Sequence, residues 1–142
     1  MTYQSDNIFA KILAGELPAH RVFEDEHSLA FMDVMPQAPG HTLVIPKFGA
    51  SNLFDVPPNA LAHTITTTQR VAQAVKLALN AEGIMIAQLN GAAAGQTVFH
   101  LHFHIIPRNG GADLGIHARE MAPPEQLAEQ AANIRDALKT LD

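Results

Sequence analysis

The sequence contains no cysteine, and this absence removes two structural options. Without thiols the chain can form neither a disulfide framework nor a thiolate zinc site. Charged residues make up only 16% of the 142 residues, there is no Lys/Arg cluster, and the net charge is −5, which argues against binding of a nucleic-acid phosphate backbone. A small anionic ligand is compatible with this composition, because backbone amides and imidazoles can hold a phosphate without a basic surface.

Long apolar runs are also lacking. None approaches the roughly 18 residues that a membrane span needs. The first six residues are polar and have neither the basic nor the apolar region of a secretory signal. We therefore expect a cytoplasmic protein with no membrane or nucleic-acid partner. Its length predicts a single domain over 1–142 with one core.

The apolar periodicity and the turn residues predict the secondary structure. We expect helices over 7–14 with Asp6 as N-cap, from Pro57-Pro58 to Gly83, and after Pro123-Pro124, with strands over 21–24, 28–33, 41–46, 84–89 and 98–106. Pro107 is expected to end the last strand. Because helices and strands do not alternate regularly, the predicted class is α+β with an antiparallel sheet.

Three histidines alternate with apolar residues at His100, His102 and His104. On a strand, these side chains would share one face, while Leu101 and Phe103 would point to the other. The apolar face suits a core. The opposite face would consist of imidazoles, where threonine, lysine or glutamate would serve a solvated surface equally well, so the pattern indicates chemistry.

Two chemistries compete for the aligned imidazoles. Neutral histidine is a common zinc ligand, but residues i and i+4 of a strand lie about 13 Å apart, whereas ligand nitrogens converge to roughly 2 Å from one ion. No Asp, Glu or Cys stands beside the histidines in the sequence. The alternative is nucleophilic attack at phosphorus through a covalent N–P intermediate, because a neutral imidazole is nucleophilic near pH 7. We favour the second chemistry, and we expect neither a metal nor a cofactor.

The motif extends to a wider resemblance. The stretch 100–106 fits the pattern His-φ-His-φ-His-φ-φ, where φ is apolar. With the segments 7–12, 16–19, 29–33 and 36–47, the chain resembles the nucleotide-binding branch of the histidine triad family over roughly residues 5–108, which leaves 109–142 as a C-terminal tail with a helix. The resemblance implies a five-stranded antiparallel sheet with two main helices. It also implies a homodimer in which two sheets join into one of ten strands.

The same resemblance implies roles for individual residues. His102 matches the family's nucleophile, His100 and His104 flank it, His41 matches a fourth histidine that supports the site, and Asp33 matches the carboxylate that takes the ribose hydroxyls. Two further groups match the phosphate-binding loop (Asn90, Gly95, Gln96, Thr97) and the apolar pocket for the base (Ile8, Phe9, Ile12, Leu17, Phe31, Val34).

The implied activity is hydrolysis or transfer at the α-phosphate of a purine nucleoside 5′-phosphate derivative. The bond cleaved would be that of a phosphoramidate or an acyl-nucleotide, and the intermediate would be a covalent nucleotidyl-histidine. One alternative is a dinucleoside polyphosphate hydrolase with the same nucleophile. Another is a nucleotide-binding or scaffolding module whose hydrolysis is incidental. The complete triad together with His41 favours an enzyme.

Overall fold

Five strands pair in the order β1-β2-β3-β5-β4, and every pair is antiparallel. The computed structural model describes residues 2–111, 115, 118 and 120–141. Its elements in chain order are α1 (Ile8–Leu13), β1 (Arg21–Glu24), β2 (Ser28–Met32), β3 (Thr42–Pro46), α2 (Pro58–Leu79), β4 (Gly83–Ala87), a 3-10 turn (Ala92–Ala94), β5 (Phe103–Arg108) and α3 (Pro124–Thr140). The predicted α+β class with a five-stranded antiparallel sheet is confirmed.

The two faces of the sheet carry separate apolar clusters, as the two-residue period of a strand requires. In β2, Ala30 and Met32 belong to the cluster that is covered by α2 and α3. Their neighbours Leu29 and Phe31 face the other way and pack with Phe9 and Ile12 of α1. The short helix α1 therefore covers the face of the sheet opposite to the two long helices.

Two predicted boundaries in the helices are wrong by a few residues. The N-cap of α1 is Asn7, not Asp6, because the Asn7 Oδ1 accepts a hydrogen bond from the Ala10 N–H at 2.9 Å. The helix α2 ends at Leu79, where Asn80 takes a left-handed conformation with φ of 51°. Asparagine tolerates this conformation better than other side chains do, so the chain turns there and Gly83 opens β4.

The strand β5 differs most from its prediction, because it begins at Phe103 and continues through Pro107 to Arg108. Its pairing with β3 ends at Ile105, and Pro107 pairs with Ile84 of β4 alone. The missing proline N–H consequently costs the sheet little. Upstream of Phe103, the Leu101 N–H donates to the Ala50 carbonyl outside the ladder. Two of the three motif histidines thus precede the regular strand.

Among the described residues, no helix is both long enough and apolar enough to cross a bilayer.

Candidate active site

A cavity of about 450 Å³ opens between α1 and the face of the sheet that α1 covers. This volume is within the usual range for small-ligand sites. Of the predicted site residues, nine line it: Ile8, Phe9, Ile12, Phe31, Asp33, Val34, Thr97, His102 and His104. Seven further residues contribute to the wall: Pro18, Ala19, Met32, Met35, Leu43, Val98 and Ala118.

His102 is held in one tautomer by its own main chain. Its Nδ1 lies 2.7 Å from the carbonyl oxygen of His100. A carbonyl oxygen can only accept, so Nδ1 carries the hydrogen and donates it. In the neutral ring, Nε2 then keeps its lone pair. The Phe9 ring packs edge-on against the imidazole, with ring centroids 5.0 Å apart, and holds its orientation.

His104 is set in the opposite tautomer by a relay that begins at a backbone amide. The Gln37 N–H donates to His41 Nδ1 at 2.9 Å, so His41 carries its hydrogen on Nε2. That nitrogen lies 2.9 Å from His104 Nδ1 and donates to it. The neutral His104 ring therefore carries its hydrogen on Nε2. His41 is fully buried and contacts the cavity residues His104 and Asp33 without lining the cavity itself.

His102 and His104 together form a pair with complementary roles. Their ring centroids are 5.0 Å apart and both side chains line the cavity. One ring has a lone pair on Nε2 and the other has a hydrogen on Nε2. The pair can accordingly act as a nucleophile beside a donor for a phosphate oxygen or a leaving group.

His100 does not line the cavity, contrary to the expectation that the three imidazoles share one face. Its Nε2 lies 2.8 Å from the Pro46 carbonyl, and its Nδ1 lies 2.7 Å from the Tyr3 hydroxyl. The reason is that the chain at His100 has not yet entered β5, so strand alternation does not govern its side chain. Burial lowers the pKa of His100, although the bond to Pro46 acts in the opposite direction.

Asp33 follows β2 and stands next to the His41–His104 pair. Its Oδ1 accepts a hydrogen bond from the Met35 N–H at 2.9 Å, and its Oδ2 lies 3.5 Å from His41 Nε2. No carboxylate adjoins the triad histidines in the sequence, but folding brings Asp33, a predicted site residue, next to His41.

Asp33, His41 and His104 offer ligand atoms within 4.8 Å of one another and could hold a metal ion. This set differs from the three motif histidines considered from the sequence. A metal bound through His41 Nε2 and His104 Nδ1 would have to displace the hydrogen that these nitrogens share. Metal binding at these atoms and the histidine relay are thus mutually exclusive.

The loop between β4 and β5 is braced by its own side chains. The Gln96 side-chain amide donates to the carbonyls of Ser51 and Val98, and its Oε1 accepts from the Gly91 N–H. Asn90 Oδ1 accepts from the Leu53 N–H. Neither side chain lines the cavity, and the same is true of Gly95, whose φ of 102° needs glycine. Of the predicted phosphate-loop residues, Thr97 alone lies on the cavity wall.

The apolar part of the cavity has two aromatic rings at its base. Phe9 and Phe31 pack edge to face, with centroids 5.3 Å apart. Ile8 is half-exposed at 51% although it belongs to α1, so it stands at the rim and not in the core. Leu17, predicted in this pocket, does not line it; Pro18 and Ala19 do.

The family model for the HIT domain matches residues 14–111, more than half of the chain. The chain belongs to the histidine triad family. A solved HIT-like protein from Bartonella henselae, described as involved in cell-cycle regulation, is 51% identical with a TM-score of 0.90, over 96% of this chain and 99% of the other.

Two other members of the histidine triad family are similar to this chain. A zinc-bound protein from Mycobacterium smegmatis is 40% identical with a TM-score of 0.85, over 96% of each chain. An adenosine 5′-monophosphoramidase from Saccharomyces cerevisiae is 40% identical over 101 residues, which are 71% of this chain and 61% of the yeast protein.

Several hydrogen-bond partners of the histidines were not predicted from the sequence. The Gln37 amide that starts the relay is a main-chain group, which no side-chain motif reveals. Tyr3 lies 97 positions from His100, with nothing in the local pattern to link them. The sequence does contain one signal, since Tyr3 is its single tyrosine and lies just before the segment 7–12 that resembles the family.

Proposed function

We propose that this histidine triad protein cleaves purine nucleoside 5′-phosphate derivatives at the α-phosphate, with His102 Nε2 as the nucleophile. The observation that carries the proposal is the tautomer of His102, whose Nδ1–H bond to the His100 carbonyl leaves the Nε2 lone pair at the cavity. The yeast relative, a monophosphoramidase by name, supports a phosphoramidate as substrate. We infer that the leaving group is the amine of a phosphoramidate or the carboxylate of an acyl-nucleotide.

The proposed reaction has two steps. In the first, His102 Nε2 forms a bond to phosphorus while the bond from phosphorus to the leaving group breaks. The leaving group takes the hydrogen that the relay places on His104 Nε2. In the second, water attacks phosphorus and gives one hydrogen to His104 Nε2, the N–P bond breaks, and the nucleoside monophosphate departs as His102 and His104 are regenerated. His41 acts through His104 by keeping the donor hydrogen on its Nε2.

The remaining cavity residues suit the substrate. Phe9, Phe31 and Val34 present an apolar wall for a purine base. Asp33, on the same wall, can accept hydrogen bonds from ribose hydroxyls. Thr97 also lines the cavity, and its hydroxyl can donate to the phosphate. The side chains of Asn90 and Gln96 brace the loop that leads to Thr97.

A quenched reaction separates this mechanism from a metal-dependent one. With an adenosine 5′-phosphoramidate as substrate, we expect a covalent nucleotide on His102 that is labile in acid and stable in alkali, as an N–P bond is. Turnover should survive exhaustive chelation, because an imidazole and not metal-bound water is the nucleophile. The measurements are peptide mapping of the quenched protein by mass spectrometry and rate assays before and after removal of metal.

Three results would count against this assignment. Tightly bound zinc with chelator-sensitive turnover and no adduct would assign Asp33, His41 and His104 to a metal. Turnover of diadenosine polyphosphates without turnover of the phosphoramidate would show that the protein is a dinucleoside polyphosphate hydrolase. Binding of nucleotide with no turnover of either substrate would make the chain a binding module.

We also propose that the protein is a homodimer joined along β4. This strand lies at one edge of the sheet. A groove of about 400 Å³ between β4 and α2 is lined by the apolar residues Ile65, Ala72, Ile84 and Ile86, by the uncharged Thr68, Gln69 and Gln73, and, alone among the charged residues that the structure describes, by Lys76. Ile65 and Ile86 are 44% and 45% exposed. An exposed apolar edge strand favours pairing with another strand, here the same edge of a second copy.

The oligomeric state can be measured by analytical ultracentrifugation. We expect the protein to sediment as a dimer and Ile86→Lys to sediment as a monomer, because a charge at the edge opposes strand pairing. Phe54→Lys is the matched control, since Phe54 is 82% exposed and lies outside the groove. A monomeric parent protein, or a dimer that Ile86→Lys leaves intact, would refute the interface.

A further inference from the structure

The hydroxyl of Tyr3 lies between two residues of different segments. It is 2.7 Å from His100 Nδ1, which is 97 positions away, and 3.1 Å from Asn7 Nδ2. The Tyr3 and His100 rings also pack edge to face, with centroids 5.6 Å apart. The N-terminal segment is therefore tied directly to the first histidine of the triad.

The direction of each of these hydrogen bonds follows from the donors present. His100 Nε2 faces the Pro46 carbonyl at 2.8 Å and must donate to it. In the neutral ring, Nδ1 is then an acceptor, so the Tyr3 hydroxyl donates its hydrogen there. The Asn7 amide in turn donates to the Tyr3 oxygen. His100 is fully buried, which favours the neutral ring. Each ring nitrogen of His100 therefore has a hydrogen-bond partner.

The Tyr3 ring packs against the backbone of Gly49, where a larger residue would collide with it. A Cβ placed on Gly49 would lie 2.7 Å from Tyr3 Cε2, closer than real Cβ contacts allow. The backbone of Gly49 is not in the left-handed region, so its conformation does not require glycine. The space that Gly49 leaves is filled by Tyr3. Asn7, Gly49 and His100, from three parts of the chain, thus all contact the Tyr3 side chain.

We propose that Tyr3 is a positioning residue for the nucleophile, acting through His100. By donating to Nδ1 it fixes the His100 side chain, and with it the carbonyl oxygen that receives the Nδ1–H of His102. That carbonyl keeps the His102 lone pair on Nε2. Loss of the Tyr3 hydroxyl lets His100 and its carbonyl shift, so a smaller fraction of His102 is in the reactive tautomer. The effect on turnover rests on the function proposed above, but the effect on His100 does not.

The first test is Tyr3→Phe, which keeps the ring on Gly49 and removes only the hydroxyl. We expect kcat to fall roughly 3- to 10-fold, the effect of one lost hydrogen bond, with KM changed by less than about twofold. Imidazole nitrogen NMR should show His100 protonated on Nε2 and His102 on Nδ1 in the parent protein. In Tyr3→Phe, the His100 Nδ1 signal should move and the His102 signal should shift towards a mixture of tautomers.

Thr64→Val is the matched control for a buried hydroxyl. Thr64 is buried in α2, and its hydroxyl donates to the Ala60 carbonyl one turn earlier in the same helix. We expect this variant to lower thermal stability by a similar amount while leaving kcat and both NMR signals unchanged. If Tyr3→Phe changes stability alone, like the control, the positioning role is refuted.

Gly49→Ala provides an independent perturbation that leaves the Tyr3 hydroxyl in the protein. The added methyl should push the Tyr3 ring away from His100, so we expect the same fall in kcat and the same NMR shifts as in Tyr3→Phe. The double variant should be no worse than either single variant, because both break one interaction. Fully additive losses would show that the two residues act separately and would overturn the proposal. If the protein turns over no nucleotide, the NMR signals of His100 and His102 still decide it.

Discussion

Replacing His102 by alanine should abolish turnover while leaving the fold and nucleotide binding largely intact. The substitution removes the atom that forms the bond to phosphorus, and no other imidazole with a lone pair on Nε2 lines the described part of the cavity. Removal of a nucleophile from a catalytic triad costs at least about 1,000-fold in kcat. Binding should persist, because the apolar wall and Asp33 hold the substrate in its ground state as well.

The measurement is kcat with an adenosine 5′-phosphoramidate, together with the Kd for adenosine monophosphate and a thermal unfolding curve. His63→Ala serves as the control for loss of a histidine. Its ring stacks on that of His27, with centroids 3.7 Å apart, in a groove that shares no residue with the candidate site. A His102→Ala protein that keeps more than about a tenth of the parent kcat would refute the assignment of the nucleophile.

Asp33 should give the second largest effect, on the preference for ribose over deoxyribose. A charged hydrogen-bond partner contributes about 1.5–3 kcal/mol, or roughly 10- to 150-fold in affinity. Asp33→Asn is the better substitution, because it keeps the volume and an oxygen that can accept from the Met35 N–H, whereas Asp33→Ala would also remove the turn contact. The variant should bind adenosine monophosphate more weakly and its deoxyribose analogue almost unchanged.

Isothermal calorimetry with both nucleotides on both proteins measures this coupling directly. The comparison cancels any general loosening of the site, since a structural effect would weaken the two ligands equally. The substitution also changes the surroundings of His41, because Asp33 Oδ2 lies 3.5 Å from His41 Nε2. Equal affinity of parent and variant for adenosine monophosphate, or equal weakening of both nucleotides, would show that Asp33 does not bind the ribose.

Much of the architecture was predictable because its causes are local. The two-residue period of β2 and β3 places Phe31 and Leu43 on one face of the sheet, and register then puts His104 beside Leu43. The proline pairs at the starts of α2 and α3 correctly mark where these helices begin. Boundaries were less predictable where a single capping group decided them, as at Asn7 and Asn80.

The residues that line the cavity were likewise only partly predictable from the sequence. Phe9, Ile12 and Phe31 were expected in the apolar pocket and line it. Gln96 and Asn90 were expected to face the phosphate, but their side chains are used to brace the loop. The residue types suit both purposes, because an amide that can donate to a phosphate can equally donate to a carbonyl. Only the partners present in the fold distinguish the two.

By itself, the sequence determined the antiparallel α+β sheet, the family, and the histidines on which the chemistry depends. Those properties follow from periodicity and from a motif of adjacent residues, both of which are readable along the chain. The tertiary structure decided the position of each hydrogen on those histidines. The Gln37 amide sets His41, His41 sets His104, the Pro46 carbonyl sets His100, and the His100 carbonyl sets His102. A tautomer depends on which group faces each ring nitrogen, and most of those groups come from distant parts of the chain.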